Sequence, residues 1–358
     1  MTLSKLASRN EASGQLSAVD AAQLQYWRRR NNRRTIMGYV VLGSLVAALF
    51  LGSLMIGERF YPLTDVVRVV LGEQVPGASF TVGELRLPRA VAGILAGFAF
   101  GVAGATTQTL LRNPLASPDI IGISQGASAG AVIAIVFFSL SDAAVSLAAF
   151  GGALTTALAI YFLSYKGAFQ GTRLILIGIG VAAMLSSVIS YALSKAAAWD
   201  IQAAMRWMTG SLNGVSWSQI APLALVSLLL PVVLLQHRNL EALRLGASSA
   251  TALGVQVERS RVVLLFGAVI LLAFATSVAG PVAFVAFMSG PIAARLIRPG
   301  ANLLVPAGCV GAILVLAADL IGQFAFPTRY PVGVITGLLG APYLVFLLIR
   351  TNQGGRSL

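Results

Sequence analysis

Few side chains in this sequence are of types that do chemistry, and they lie far apart along the chain. Asp319 is the one carboxylate deep inside an apolar run, where an ionisable residue marks a functional site by default. Arg86 and Arg89 stand three residues apart where another apolar run begins, a spacing that predicts one shared helix face. Exposed guanidinium groups can pair with carboxylates of another protein. We interpret Asp319 as a structural hydrogen-bonding residue, with proton coupling as the alternative.

The residue sets of the common catalytic and metal centres are missing from the sequence. The single cysteine, Cys309, lies in an apolar run and predicts a small core residue. The single histidine, His237, stands beside Arg238 and predicts a loop position rather than a ligand. No Gly-x-x-x-x-Gly-Lys-Ser/Thr phosphate loop occurs, so this chain cannot hydrolyse ATP alone. We expect no metal site, no bound cofactor and no catalytic residue here.

Composition indicates that the solvent of most of this chain is lipid. Of its 358 residues 57% are hydrophobic and 10% are charged, whereas soluble domains carry about 25% charged residues. The 37 glycines agree, because small residues let membrane helices approach closely. The net charge of +13 comes largely from arginines in short links between apolar runs, which is typical of residues that set membrane orientation. We therefore expect no binding to nucleic acid.

Long apolar runs divide the chain into elements that must position these residues. A membrane-spanning helix needs about 20 mostly apolar residues. The predicted spans are 36–57, 89–111, 119–140, 145–164, 174–194, 217–236, 262–280, 302–322 and 332–350. A shorter run at 282–296, interrupted by glycine and proline, predicts a short or broken helix buried among the others. The expected fold is all-α and polytopic, with about ten transmembrane helices.

The links between spans predict an orientation and one docking surface. Residues 1–35 and 351–358 form polar tails around a membrane domain at 36–350. Lysine and arginine concentrate on the side that holds both tails, which places both termini in the cytoplasm. The longest cytoplasmic link, 237–261, predicts one or two short helices on that face. It is either a docking surface or a plain solvated loop.

Glycines repeat every four residues along the second predicted span. Gly93, Gly97 and Gly101 share one helix face at this spacing. Such a face allows a close helix contact or lines a narrow path. Simple helix packing is the role that we expect for each single glycine.

Ordered motifs over residues 36–350 resemble the FecCD family of ABC importer permeases, which includes vitamin B12 and iron-siderophore importers. The motifs that carry the resemblance are Leu85–Arg89, Leu111–Ala116, Gly122–Ala127, Trp207–Leu212, Ala279–Phe284, Ala318–Asp319, Pro331–Thr336 and Gly340–Pro342. Three further segments are most similar to ferric-enterobactin-type permeases: Ile177–Val181, Gly210–Gly214 and Val257–Arg261.

This resemblance implies a type II ABC importer permease fold and the transport of ferric-siderophore complexes. Cobalamin or haem is the alternative cargo within the family, and a proton-coupled secondary transporter is the alternative of another class. The implied partners are a second permease subunit, either a related chain or an identical copy, two ATPase subunits that hold ATP and Mg, and an extracytoplasmic siderophore-binding protein. The implied location is a bacterial cytoplasmic membrane.

The resemblance also implies roles for individual residues. In the family, the arginines that match Arg86 and Arg89 pair with acidic residues of the binding protein. The alternative for Arg86 and Arg89 is anchoring to lipid headgroups. The long cytoplasmic link is where the family's ATPase subunit makes contact. The corresponding segment is 237–260, centred on Leu245, Gly246, Ala247, Leu253 and Gly254.

Candidate linings of a translocation path are Phe98, Phe100, Gln108 and Arg206. For the first three, packing against a neighbouring helix is the simpler expectation, and Arg206 could attract anionic cargo. The sequence departs from the family pattern at Gly290-Pro291, Gln323 and Tyr330. These departures suit an asymmetric pair in which a second permease supplies missing charged contacts.

Overall fold

The computed structural model describes residues 33–119, 121–165, 171–221, 230–297 and 301–354, which form a bundle of helices without strands. The first helix, α1, is Arg33–Met55. In chain order the others are α2 (Leu63–Val70), α3 (Leu87–Leu110), α4 (Ile123–Phe138), α5 (Asp142–Ser164), α6 (Gly171–Lys195), α7 (Ala198–Met208), α8 (described at 217–221), α9 (Leu230–Leu235), α10 (His237–Arg244), α11 (Ala247–Ala252), α12 (Val257–Ala279), α13 (Val285–Leu296), α14 (Leu304–Phe324) and α15 (Val332–Gly354).

Seven of the described helices are long and apolar enough to cross a membrane, and two shorter apolar helices, α4 and α13, accompany them. The prediction of an all-α polytopic membrane protein is confirmed, and α13 is the short helix expected at 282–296. The middle of the predicted span 217–236, most of the tail 1–35 and residues 355–358 lie outside the described residues.

The second predicted span begins earlier than residue 89. A π-helical segment, Ser79–Arg86, runs without a break into α3, so that the continuous helix is Ser79–Leu110. Its first turns contain Thr81, Glu84 and Arg86, which is why apolarity alone placed the start too late. Two further helices, α2 and α7, were not predicted.

Helix α3 is the centre of the bundle and packs against α12, α13 and α14. Its glycine face makes this possible, because a Cβ on Gly97 would lie 2.6 Å from the Gly311 carbonyl oxygen of α14. A Cβ on Gly101 or Gly104 would overlap the backbone of Ala307 or Ala286. The backbones therefore touch directly, as in other membrane bundles with small residues at helix contacts. Helix packing is the role that the structure gives to this glycine face.

Candidate functional site

One end of the bundle carries a charged network that joins the first turn of α3 to the last turns of α14. Arg89 donates from Nε and Nη2 to the two carboxylate oxygens of Asp319, at 2.8 and 2.7 Å. Gln323, one turn further along α14, donates to the same carboxylate at 2.7 Å. The Arg89 and Asp319 side chains are 19% and 4% exposed. A bidentate pair with so little water is stronger and more directional than a surface ion pair.

This network bears on both interpretations of Asp319. A residue that couples transport to protons needs exchange with water, and Asp319 instead accepts three hydrogen bonds from side chains while almost wholly buried. The contacts favour the structural role, which stays a prediction. The same contacts account for Gln323, where the sequence departs from the family pattern. Its amide donates a hydrogen bond to the Asp319 carboxylate without adding a second cation.

Arg86 contacts a different neighbour. Its guanidinium donates to the carbonyl oxygens of Leu54 and Met55 at 2.9 and 3.1 Å, and to that of Arg59 at 2.7 Å. It also lies 5.0 Å from the ring centre of Tyr61. These contacts tie the end of α1 and the following turn to the start of α3.

Arg86 and Arg89 have different neighbours, and the shared helix face stays a prediction. Arg86 contacts the turn after α1, whereas Arg89 contacts α14. Both arginines do lie at the same end of the bundle, and their docking role stays a prediction.

A cavity of about 590 Å³ opens at this end, beside α7 and the segment that follows it. Arg206, exposed on α7, lines it together with Asp200 of the same helix and Asp142 at the start of α5. Neutral polar side chains such as Ser211 and Asn213, and apolar ones such as Leu140 and Trp207, complete the lining. The cavity is therefore partly polar and partly apolar, and it carries both signs of charge.

The other three path candidates lie within the bundle. Phe100 is 1% exposed, and the ring of Phe98 fills the space above Gly308 of α14. Gln108, 7% exposed, donates through Nε2 to the carbonyl oxygens of Pro114 and Phe287, both at 2.9 Å. In this conformation all three contact protein rather than an open path.

The opposite end carries the predicted coupling segment as two short helices, α10 and α11. Leu240 and Leu243 of α10 are buried and hold it against the bundle. Leu245 and Leu253, which follow α10 and α11, are 68% and 65% exposed. Gly246 and Gly254 make the turns after each leucine with φ of +117° and +82°, values that disfavour a side chain. The result is a pair of apolar side chains presented on a compact, anchored support.

Sequence reasoning missed a face of α6 that is rich in hydroxyl groups. Ser186, Ser187, Ser190 and Ser194 are exposed, and each donates to a carbonyl oxygen of the preceding turn. Tyr191 on the same helix is 62% exposed. Serines four residues apart share one face, so the spacing of 186, 190 and 194 was the available signal. Hydroxyl groups satisfied in this way suit either a polar surface or a close contact with another helix.

A family model and individual relatives both match this chain over most of its length. The model of the FecCD transport family matches residues 45–350. The chain is 38% identical over 324 residues to the ferric enterobactin transport system permease protein FepG of Escherichia coli, covering 90% of this chain and 98% of that protein. It is 35% identical over 328 residues to FepD of the same organism, also a permease protein of a ferric enterobactin transport system, covering 89% and 96%.

A solved structure of a metal-chelate-type ABC transporter in an inward-facing conformation has the same fold. The TM-score is 0.75 at 24% sequence identity, and the match covers 87% of this chain and 98% of that one. The expected fold of a type II ABC importer permease is confirmed. From the family match over most of its length and from these relatives, the chain belongs to the FecCD transport family.

Proposed function

We propose that this chain is the membrane permease subunit of an ABC importer that moves ferric-siderophore complexes across a bacterial cytoplasmic membrane. The observation that carries the proposal is the full-length similarity to FepG, whose name assigns it to ferric enterobactin transport. The chain would supply the path, and hydrolysis of ATP with Mg would take place on two partner ATPase subunits.

The second permease subunit is proposed to be a related chain rather than an identical copy. Support comes from FepG and FepD, two different permease proteins named for ferric enterobactin transport in one organism, both similar to this chain. The path would run between the two permeases, with the hydroxyl face of α6 as one wall. Such a wall offers hydrogen bonds that are individually weak, so that a large polar cargo can pass without being trapped.

The end of the bundle that carries Arg86 and Arg89 is proposed to face the extracytoplasmic binding protein. Arg89 uses Nε and Nη2 on Asp319, so that Nη1 is the part of its guanidinium that could meet a partner carboxylate. Arg206 lines the cavity at the same end and could attract an anionic cargo. Both termini would then lie in the cytoplasm, as the distribution of lysine and arginine predicts.

The opposite end is proposed to contact the ATPase subunits through 237–260. Leu245 and Leu253 are the apolar contacts, and the turns at Gly246 and Gly254 fix where they point. Movement of this segment would shift α3 and α12, against which α10 packs. ATP binding in the partners would thereby favour one access state over the other.

Uptake into sealed vesicles distinguishes this proposal from secondary transport. Vesicles holding the whole assembly and internal ATP would receive a ferric siderophore with its binding protein, with the proton gradient and membrane potential collapsed. We expect uptake to continue and to stop when ATP is removed. Uptake that needs the gradient and ignores ATP would overturn the proposal.

A further inference from the structure

A second cavity, of about 350 Å³, lies at the end of the bundle where α3 meets α10. The residues that line it come from the end of α3 and the turn that follows, from the end of α10, from α13 and from the segment before α14. They are Gln108, Thr109, Arg112, Asn113, Pro114, Arg244, Gly290, Pro291, Ala294 and Leu303. Gln108 was a path candidate and Arg244 lies in the segment 237–260, but the cavity is separate from the α6 wall and from the Leu245 and Leu253 contacts proposed above.

The polar wall of the cavity consists of hydrogen-bond donors that are only partly used. Arg112, in a left-handed conformation with φ of +50°, donates from Nε and Nη2 to the Leu243 carbonyl oxygen at 3.2 and 2.8 Å. Asn113 accepts the Leu115 N–H through Oδ1 at 2.9 Å, which leaves its amide NH₂ group to donate. Arg244 uses Nη1 on Glu241 at 3.1 Å. Within the described residues, no acceptor is assigned to Arg112 Nη1, to the Asn113 amide or to Arg244 Nε and Nη2.

The charge of the lining has one sign. Among the described residues that line the cavity, Arg112 and Arg244 are charged and none is a carboxylate. Glu241 engages Arg244 without lining the space itself. Convergent N–H donors with two guanidinium groups suit an anion with several acceptor oxygens, because charge-assisted hydrogen bonds to such oxygens are the strong ones.

The remaining wall is apolar. Pro291, Ala294 and Leu303 contribute to it, and Leu296, at the end of the same helix α13, is 44% exposed. A free phosphate ion would gain nothing from this wall, whereas a lipid has an acyl chain to lay along it. Basic pockets between membrane helices on the cytoplasmic side are known to hold anionic lipid headgroups. We propose that this cavity binds the phosphate group of an anionic membrane lipid.

The site lies next to the proposed coupling segment. A Cβ on Gly246 would be 3.6 Å from Arg112 Nη2, so the lipid phosphate would sit beside the turn that presents Leu245. A bound lipid would brace the junction of α3 and α10 and thereby support the position of that segment. The inference goes beyond the proposed function, since lipid binding is measured on the purified chain whatever cargo the chain transports.

Lipid titration of the purified full chain in neutral detergent tests the proposal. Dioleoylphosphatidylglycerol, dioleoylphosphatidylcholine and inorganic phosphate would be added separately, with binding followed by native mass spectrometry and by the thermal unfolding temperature. We expect phosphatidylglycerol to bind more tightly and to raise the unfolding temperature most. The Asn113→Asp variant keeps the acceptor for Leu115 N–H but puts a carboxylate into the cavity, and should weaken phosphatidylglycerol binding on the order of tenfold.

Two arginine variants complete the design. Arg244→Gln removes a cation from the cavity without removing a backbone contact, and should weaken phosphatidylglycerol binding about fivefold. Arg238→Gln removes an exposed cation of the same helix that does not line the cavity, and should leave binding within about twofold. Three results would each overturn the proposal: equal binding of both lipids, equal protection by inorganic phosphate alone, or Asn113→Asp behaving like Arg238→Gln.

Discussion

At the scale of single residues, Arg89 and Asp319 form a bidentate pair that joins α3 to α14. Asp319 stood out because it is a carboxylate within an apolar run, and Arg89 because it opens another. Their pairing was not predicted, since 230 residues separate them and no spacing rule reaches that far. The same limit hid the partners of Arg86, which are carbonyl groups of the backbone and carry no sequence signal.

The Arg89–Asp319 pair leads to a stability prediction. Removing one partner leaves an uncompensated charge in a site that is nearly dry, so Arg89→Ala or Asp319→Ala should each cost about 3–5 kcal/mol. The double variant should cost less than the sum of the two. The free energy of unfolding of the purified chain in mixed micelles measures this.

The exposed pair of Arg329 and Glu58 provides the control. Its side chains are 59% and 83% exposed, so Glu58→Gln should cost no more than about 1 kcal/mol. If Asp319→Ala were as mild as Glu58→Gln, the structural role of Asp319 would be contradicted.

Gln108 and Pro291 lead to a second residue-scale prediction. Pro291 lies inside α13 and has no N–H for the Phe287 carbonyl oxygen one turn earlier, and Gln108 Nε2 donates to that oxygen instead. Gly290 leaves room for the Gln108 side chain, because a Cβ at position 290 would overlap Gln108 Oε1. The departure at Gly290-Pro291 is thus one half of a contact between α3 and α13.

Gln108→Leu should therefore cost about 1–3 kcal/mol, because it leaves buried carbonyl oxygens without a donor. In a Pro291→Ala background the helix regains its own N–H, and the cost of Gln108→Leu should fall by about 1 kcal/mol. Thermal unfolding of the unsubstituted chain, the two single variants and the double variant completes the cycle. Strict additivity would mean that the two residues do not share the Phe287 carbonyl.

At the scale of elements, apolar length predicted the membrane helices and little else. The ends of α5, α6, α14 and α15 lie within a few residues of the predictions, because long apolar runs mark spans directly. Helices α2 and α7 were missed because they are short, at 8 and 11 residues, and carry charges. The π-helical segment before α3 was missed because hydrophobicity gives no information about residues per turn.

The glycine face of α3 gives an element-scale prediction. Gly101→Ala should destabilise the chain by about 1–3 kcal/mol, because the added Cβ meets the backbone of Ala307, which cannot rotate away. Gly180→Ala in α6 is the matched control, with no heavy atom within 4 Å of its added Cβ, and should be neutral or stabilising by up to about 1 kcal/mol. Thermal unfolding in detergent reports both, and equal effects would contradict the direct contact of α3 with α14.

The coupling segment, 237–260, gives a second prediction at the scale of elements. Leu245→Asp and Leu253→Asp should weaken binding of the ATPase subunit on the order of tenfold each, because each removes an exposed apolar anchor. The unfolding temperature of the isolated permease should stay unchanged, since neither side chain is packed. Leu71→Asp, 75% exposed after α2 and outside the membrane-spanning helices, serves as the control for adding a charge elsewhere. Unaltered ATPase binding in both variants would remove 237–260 from the proposed interface.

At the scale of the whole molecule, family membership follows from sequence similarity over nearly the full chain. The structure adds how the helices are arranged within one subunit. A central α3 with backbone contacts to α14 makes a rigid core, while α6 presents hydroxyl groups away from it. Under the proposed function, one chain would supply one wall of the path and a second permease would enclose it. Cargo identity was beyond sequence reasoning from physics, because a path that must release its cargo carries few specific contacts.

The most direct test is cargo-stimulated ATP hydrolysis by the whole assembly in lipid bilayers, with binding protein loaded in turn with catecholate, hydroxamate and citrate ferric complexes and with cobalamin. The account predicts that one ferric siderophore raises hydrolysis well above its basal rate, and that the stimulation is lost when the binding protein is left out. Stimulation by cobalamin alone would keep the family but contradict the siderophore assignment. No stimulation by any cargo, in an assembly that binds ATP, would contradict the central claim that this chain is an importer permease for ferric siderophores.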